Sequence, residues 1–432
     1  MTVVEGYAGH LVAIADSRAL VPGTSNVKNW WPIVALALIA APAIFLRLLG
    51  TDLSPTVEVT IFGIAIVAAA FLLTWASEVA ETEISATLAL ALLAIIAVLP
   101  EYAVDIYFAW TAPANPENAH FAIANMTGGN RLLVGFAWPM IFFISWLRTR
   151  RTTLSLDARQ NSLSILVLGI ATVYSFSIPL RGNLSLIDTT VTLAIFGAYL
   201  WLVSRMPARQ VEEFVGPAAA IKRLPAAQRR TVIALLFLFA AAVIFAAAEP
   251  FASGLVHTGK QLGIDEFILV QWLAPLASES PEFLLAGVLA ARGRPAAGMT
   301  ILLSSKVSQW TLLIGSVPAA YSVSGATLSP LDFDMRQAEE VFLTAAQSLF
   351  AVAIFVSFSM SFWEAALLAV LFATQLFFFN TTVRIGYGFV YLLLALLVLF
   401  RDRAALPAVY RIARETVVSP QSSSGTVHKP PG

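Results

Sequence analysis

The stretch LAPLASESPEFLLAGVLAARGRPAAGMTILLSSKVSQWTLLIG, residues 273–315, decides the fold of this chain. Most of it is apolar enough to lie in lipid, yet Glu279, Glu282 and Lys306 fall far from any expected helix end. Charged side chains at membrane depth cost roughly 2.5–3.5 kcal/mol each on insertion scales, so they persist where they face a partner or a cavity. Pro281 precedes Glu282, and a proline inside a helix frees backbone carbonyl oxygens. The stretch therefore predicts an oxygen-lined cation site at a broken membrane helix.

A weaker copy of this pattern lies in the first half of the chain. Pro100-Glu101 matches Pro281-Glu282, and Asp105 follows about one helical turn later. On the next segment, NRLLVG (130–135) matches WTLLIG (310–315), which places Asn125 opposite Ser305. The chain is therefore an internal duplication built around an acidic site inside the membrane.

The composition indicates a polytopic helical membrane protein. Of 432 residues, 58% are hydrophobic and 12% are charged, and the mean hydropathy is +0.80. A soluble domain of this length needs more charged surface. The net charge is zero and no basic patch is interleaved with aromatic residues, so no nucleic-acid partner is predicted.

The motifs do not indicate an enzyme. Cysteine is absent, which excludes disulfides and thiolate metal sites. The chain has no HExxH, no P-loop and no convincing nucleophile triad. We therefore expect no cofactor beyond transported cations.

Repeated apolar runs predict an all-α fold with about 12 transmembrane helices. Two five-helix repeats form the core, with one extra helix at each end. The predicted segments are an N-terminal tail (1–30), an extra transmembrane helix (31–55), the first repeat (56–204), a linker (205–230), the second repeat (231–380), a second extra helix (381–401) and a disordered tail (402–432).

Loop charge predicts the orientation, because cytoplasmic loops carry an excess of lysine and arginine. Basic residues concentrate in 148–159, 205–230, 292–294 and the C-terminal tail, which all fall on one side if both termini are cytoplasmic. The opposite side has few basic residues, among them Arg384, with acids such as Glu339 and Glu340 nearby. We predict a multi-pass protein of the cell (inner) membrane. An odd number of helices per repeat then gives the two repeats inverted topology, a transporter signature.

The acids are spaced to share helix faces. Glu279 and Glu282 are three residues apart, and Glu101 and Asp105 are four apart. If the repeats pack about a pseudo-twofold axis, up to four carboxylates converge. Bound cations or protons relieve their repulsion, and competition between these ions gives exchange. The alternative is that some of these acids, Asp105 and Glu279 above all, cap helix ends in the headgroup region.

Neutral oxygen atoms are expected from the helix that follows each acidic segment. Asn125 and Ser305 occupy matched positions of the two repeats. The alternative for the small residues around them is ordinary helix packing. Lys306 has three explanations: a tethered cation that takes the volume of a second ion and pairs with a glutamate, a group that exchanges a proton, or a lysine that extends to the membrane interface.

The motifs resemble those of a known family. SESPEFLLAG and GMTILLSSKVSQWTLLIG resemble the second signature repeat of the calcium/cation antiporter superfamily, which includes the sodium/calcium exchangers, and LPEYAVD and AIANMTGGNRLLVG resemble the first. The resemblance covers roughly residues 57–380 and implies a core of two inverted five-helix halves. It also implies that Glu101 and Glu282 coordinate the transported ion and that Ser278, Asn125 and Ser305 occupy ligand positions.

The chain departs from the family pattern at several of these positions. Ala97-Val98-Leu99 stands where the first repeat usually has Gly-Thr-Ser, while Asp105 adds a carboxylate. Glu279 stands where serine is common, and Lys306 lies in the following helix. These changes affect which ions the site is expected to bind and in what ratio it exchanges them.

Together these features predict an antiporter that works by alternating access and exchanges calcium, or another divalent cation, for sodium or protons. One alternative is a sodium/proton antiporter. Another is a membrane protein on the same fold that does not transport, either an ion sensor or an enzyme. The predicted partners are inorganic cations and the lipid bilayer, and the sequence predicts no oligomeric state.

Overall fold

The computed structural model describes residues 25–51, 53–80, 99–206, 214, 216–378 and 380–418, with side chains from residue 29 onward. The first half contains helices α1 (Ser25–Leu49), α2 (Pro55–Ala80), α3 (Leu99–Thr111), α4 (Glu117–Thr149), α5 (Ala158–Ser175), α6 (Ser177–Arg181) and α7 (Leu186–Val203). The second half contains α8 (Pro217–Lys222), α9 (Ala226–Leu262), α10 (Glu266–Ala291), α11 (Pro295–Ser308, Gln309–Leu313 and Ile314–Gly325), α12 (Met335–Phe355), α13 (Phe362–Gln375), α14 (Thr381–Arg401) and α15 (Leu406–Val418).

Eight helices among the described residues are long and apolar enough to cross a membrane. The mostly helical, multi-pass class is therefore confirmed. The count of about twelve helices and the inverted arrangement stay predictions. Residues 81–98, which precede Glu101 in the predicted first repeat and include Ala97 and Val98, lie outside the described residues.

Two short strand pairs connect distant loops. Strand β1 (Thr153–Ser155) pairs antiparallel with β4 (Ser359–Ser361), and β2 (Asn183–Leu184) pairs with β3 (Leu331–Asp332). The loop charges and the predicted order of spans together give a cytoplasmic position for β1 and β4 and an outer position for β2 and β3. Each pair thus joins loops that the predicted order of spans places on the same side of the membrane.

The halves pack through equivalent helices. Helices α2 and α9, which begin the two repeats, lie against each other. A Cβ on Gly63 would lie 2.8 Å from the Phe251 ring, and one on Gly254 would lie 3.0 Å from Val59. The glycines allow this close approach, as small residues do at helix interfaces in membranes.

The helices that follow the acidic helix of each repeat, α4 and α11, both contain a turn of different helical pitch near mid-length. Helix α4 has a π-helical turn at Leu133–Ala137, and α11 has one at Gln309–Leu313. Such turns shift the register of side chains and occur often at functional sites. Both follow closely after the polar residues singled out by the repeat.

Several predicted boundaries need correction. The prediction of a disordered tail at 402–432 is wrong for Leu406–Val418, which forms α15 and packs on α5 through Val409 and Ala413. An amphipathic pattern with two buried residues one turn apart explains why this segment folds. Residues 419–432 lie outside the described residues. At the other end α1 begins at Ser25, inside the predicted tail, and α9 begins at Ala226, inside the predicted linker.

Candidate functional site

The centre of the acidic site is a pair of carboxyl groups from different halves. Glu101 lies in the first turn of α3 and Glu279 lies in α10, and their side chains are 5% and 2% exposed. The two carboxyl groups are at hydrogen-bonding range. A Cβ on Gly129 of α4 would lie 3.5 Å from Glu101 Oε1 and 3.8 Å from Glu279 Oε1. Two carboxyls so close need a shared proton or a cation between them.

The two other predicted acids flank this pair. Asp105 is fully buried next to Asn125, and Glu282 lies next to Ser305. Both acids are near enough to Glu101 to interact with it electrostatically. The burial of Asp105 and Glu279 inside the protein argues against the alternative that they cap helix ends among headgroups.

The sequence predicts that up to four carboxylates converge, and in the structure Glu101 interacts electrostatically with the other three acids. Among the described residues, no three His, Cys, Asp or Glu side chains lie close enough to hold a metal ion by themselves. The arrangement is instead a central pair with two flanking carboxyls, each beside an amide or a hydroxyl. A cation held here needs those neutral oxygens as well.

The buried oxygen atoms of the site lack hydrogen-bond donors. Within the described part of the chain, no N–H or O–H group donates to a set of buried oxygens that face this region: Glu101 Oε1, Asp105 Oδ1 and Oδ2, Asn125 Oδ1, Glu279 Oε2, Glu282 Oε2, Ser305 Oγ and Gln309 Oε1. Buried polar atoms are normally satisfied. Oxygens without donors are the ligands that hard cations such as calcium take.

Neighbouring side chains orient part of the set. Gln309 Nε2 donates a hydrogen bond to Glu279 Oε1, the same oxygen that lies near Gly129. The Ser278 hydroxyl donates to the carbonyls of Ala274 and Pro275 of its own helix, at 3.3 and 3.2 Å. Its oxygen keeps acceptor capacity, so Ser278 remains a predicted ligand.

Lys306 is buried beside the pair but does not bond to an acid. Its Nζ donates to Asn130 Oδ1 at 2.6 Å and to the Asn130 carbonyl at 3.3 Å, and it lies 4.4 Å from the centre of the Trp310 ring. The side chain is 0% exposed. Glu101 and Glu279 are near enough to interact with it electrostatically, so its role in charge balance or proton binding stays a prediction. The alternative that it extends to the interface is wrong, because the side chain is fully buried.

A second group of buried charges lies next to the site, and the sequence did not reveal it. Arg131 of α4 forms an ion pair with Glu340 of α12, and Arg384 of α14 forms ion pairs with both Glu339 and Glu340. Arg131 also lies 5.0 Å from the centre of the Trp272 ring. Loop charge alone assigns Glu339, Glu340 and Arg384 to the outer surface, yet their side chains are buried. The available signal in the sequence was that these three residues stand at the starts of two predicted membrane spans, where a side chain can be buried.

Membrane-length helices around a buried acidic site define a polytopic membrane protein of the transporter kind. A family model described as "Sodium/calcium exchanger protein" matches residues 54–205 and 232–381. This chain belongs to that family, and the resemblance drawn from its motifs is confirmed.

Solved structures agree with this assignment. The chain is similar to the structure described as the H+/Ca2+ exchanger CAX, with 40% identity, a TM-score of 0.87 and coverage of 91% of this chain and 99% of that one. It shares the fold of native YfkE at 15% identity, with a TM-score of 0.60 and coverage of 82% and 99%. A search of curated proteins finds no match.

Proposed function

We propose that this protein is a secondary active antiporter that exchanges calcium, or another divalent cation, for protons at the Glu101–Glu279 pair. The observation that carries the proposal is the position of these two buried carboxyls at hydrogen-bonding range, one from each half. A shared proton satisfies such a pair, and so does a divalent cation, but the two exclude each other.

The surrounding oxygens support a divalent cation as the partner of the proton. Asp105 and Glu282 supply further negative charge, and Asn125, Ser305 and Ser278 supply neutral oxygens. Calcium takes 6–8 oxygen ligands in flexible geometry. The similarity to a structure described as an H+/Ca2+ exchanger favours protons over sodium as the counter-ion.

Alternating access needs two halves that move around the site. In the proposed layout, each repeat contributes one acid to the pair and one helix with a π-turn. The repeats lie in opposite orientations in a cell membrane, and both chain termini lie on its cytoplasmic side. The strand pairs β1–β4 and β2–β3 support the order of the spans in this layout, because each joins loops expected on the same side.

The test is calcium uptake into proteoliposomes that contain the purified protein. A proton gradient should drive uptake, a sodium gradient alone should not, and Glu101→Gln should abolish it. Uptake driven by sodium but not by protons would overturn the proton assignment. Proton flux coupled to sodium without calcium would support the sodium/proton alternative, and the absence of any ion flux would support a protein that does not transport.

A further inference from the structure

The Lys306 ammonium occupies surroundings that suit a small cation. Its contacts are an amide oxygen at 2.6 Å, a main-chain carbonyl at 3.3 Å and an aromatic face at 4.4 Å. Carbonyl oxygens and aromatic faces are what monovalent cations bind in proteins. The ammonium is fully buried, so these groups replace its water shell.

This position is directly adjacent to the carboxylate pair. Asn130, which accepts both hydrogen bonds, follows Gly129, where an added Cβ would lie within 3.8 Å of both Glu101 Oε1 and Glu279 Oε1. Lys306 itself follows Ser305, the neighbour of Glu282. The ammonium therefore connects helix α4 of the first half to helix α11 of the second at the level of the acids.

We propose that the Lys306 ammonium is a built-in cation that fills a monovalent-cation subsite beside the Glu101–Glu279 pair. The proposal rests on the proposed exchange function and deepens it. A tethered charge in this subsite cannot be carried across the membrane and cannot be displaced by sodium. It thus removes sodium as a counter-ion and leaves protons to compete with calcium.

Removal of the tether should open the subsite to free cations. In Lys306→Ala, the oxygens of Asn130 and the Trp310 face lose their partner, and a cavity of the length of the lysine side chain remains. Sodium or methylammonium is small enough to enter it. The class of ligand is therefore a small monovalent cation.

The test compares calcium uptake by wild type, Lys306→Ala and the matched control Thr300→Val in choline-based buffer. Thr300 lies on the same helix and donates only to the Ala296 carbonyl in the described structure. We expect the rate of calcium uptake by Lys306→Ala to be at least tenfold lower than that of wild type. Added sodium or methylammonium should raise the rate of Lys306→Ala at least threefold, and the increase should saturate. Wild type and Thr300→Val should change less than twofold with either cation. If Lys306→Ala is folded but neither cation restores uptake, the proposal is overturned.

A second variant and a binding measurement guard against a variant that fails to fold. Lys306→Ser leaves the cavity open and places a small hydroxyl at its edge. Sodium binding to purified Lys306→Ser, measured by calorimetry, should be saturable, whereas wild type should show none. Equal sodium binding by both would also overturn the proposal. Because this measurement needs no transport, its failure is distinguishable from a failure of calcium/proton exchange in wild type.

Discussion

Glu101 meets Glu279, rather than its sequence counterpart Glu282, at the centre of the acidic site. The repeat pairs Pro100-Glu101 with Pro281-Glu282, but the packing of α3 against α10 places the acid one helical turn earlier closest to Glu101. Glu282 lies to one side, next to Ser305. This asymmetry gives the two glutamates of α10 different expected roles.

Neutralising the central acid should weaken calcium binding. We expect Glu101→Gln to reduce calcium affinity by at least about tenfold, since the amide removes one charged ligand from a buried site. Calorimetric titration of the purified protein with calcium measures the change. The matched control is Glu117→Gln, because Glu117 has a side chain that is 68% exposed and pairs loosely with Lys260 at 3.6 Å. An affinity unchanged in Glu101→Gln would show that the pair is not the binding site.

The two adjacent glycines of α4 should respond differently to alanine. A Cβ on Gly129 would lie in ordinary contact with Glu101 Oε1 and Glu279 Oε1, at 3.5 and 3.8 Å, so Gly129→Ala should weaken calcium binding with little loss of stability. A Cβ on Gly128 would lie 1.8 Å from the carbonyl oxygen of Gln271. Gly128→Ala should therefore destabilise the fold by roughly 1–3 kcal/mol or more. Thermal unfolding and calcium titration of both variants separate the effects, and equal destabilisation by the two would contradict this account.

The buried ion pairs between α4, α12 and α14 should be sensitive to the loss of one partner. Glu340→Gln leaves Arg131 without its charge partner in a dry environment, which costs about 3–5 kcal/mol by comparison with other buried pairs. The exposed pair Arg47–Glu249, whose side chains are 46% and 48% exposed, is the control. Arg47→Gln should cost at most about 1 kcal/mol. Thermal unfolding in detergent measures both, and a Glu340→Gln variant as stable as Arg47→Gln would contradict the prediction.

The absence of cysteine in the chain allows a direct test of its orientation. Single cysteines at Ser155 of β1 and Asp332 of β3 replace exposed residues on the two sides predicted by loop charge. A maleimide that cannot cross membranes, added to intact right-side-out vesicles, should label Asp332→Cys. It should label Ser155→Cys only after the membrane is opened. The reverse pattern would place the termini outside.

The sequence singles out the acidic residues because charge in an apolar run is conspicuous. The Pro-Glu repeat singled out Glu101 and Glu282, and helical spacing added Asp105 and Glu279. The structure buries all of these except Glu282, which is only partly exposed. Glu279 is the partner of Glu101 because of how α3 and α10 pack, and the spacing of residues along the sequence does not determine that packing.

Contacts to neutral atoms were beyond sequence reasoning. Lys306 bonds to the amide and carbonyl of Asn130, and no pattern of opposite charge marks such a partner. The network of Arg131, Glu340 and Arg384 was missed for a related reason. Acids at the start of a predicted span look like loop residues until α14 is seen to lie against α12. The polar ending SSSGTVHKPPG predicts disorder for the whole tail, although the segment before it forms helix α15.

Proton release on calcium binding tests the central claim most directly. The purified protein is titrated with calcium in weakly buffered solution near neutral pH, and the released protons are followed with an indicator dye. If calcium and protons compete for the Glu101–Glu279 pair, binding should release about one proton per calcium, and calcium affinity should fall as the pH is lowered. Glu101→Gln should abolish both signals. Tight calcium binding without proton release, at an affinity that does not change with pH, would contradict the account.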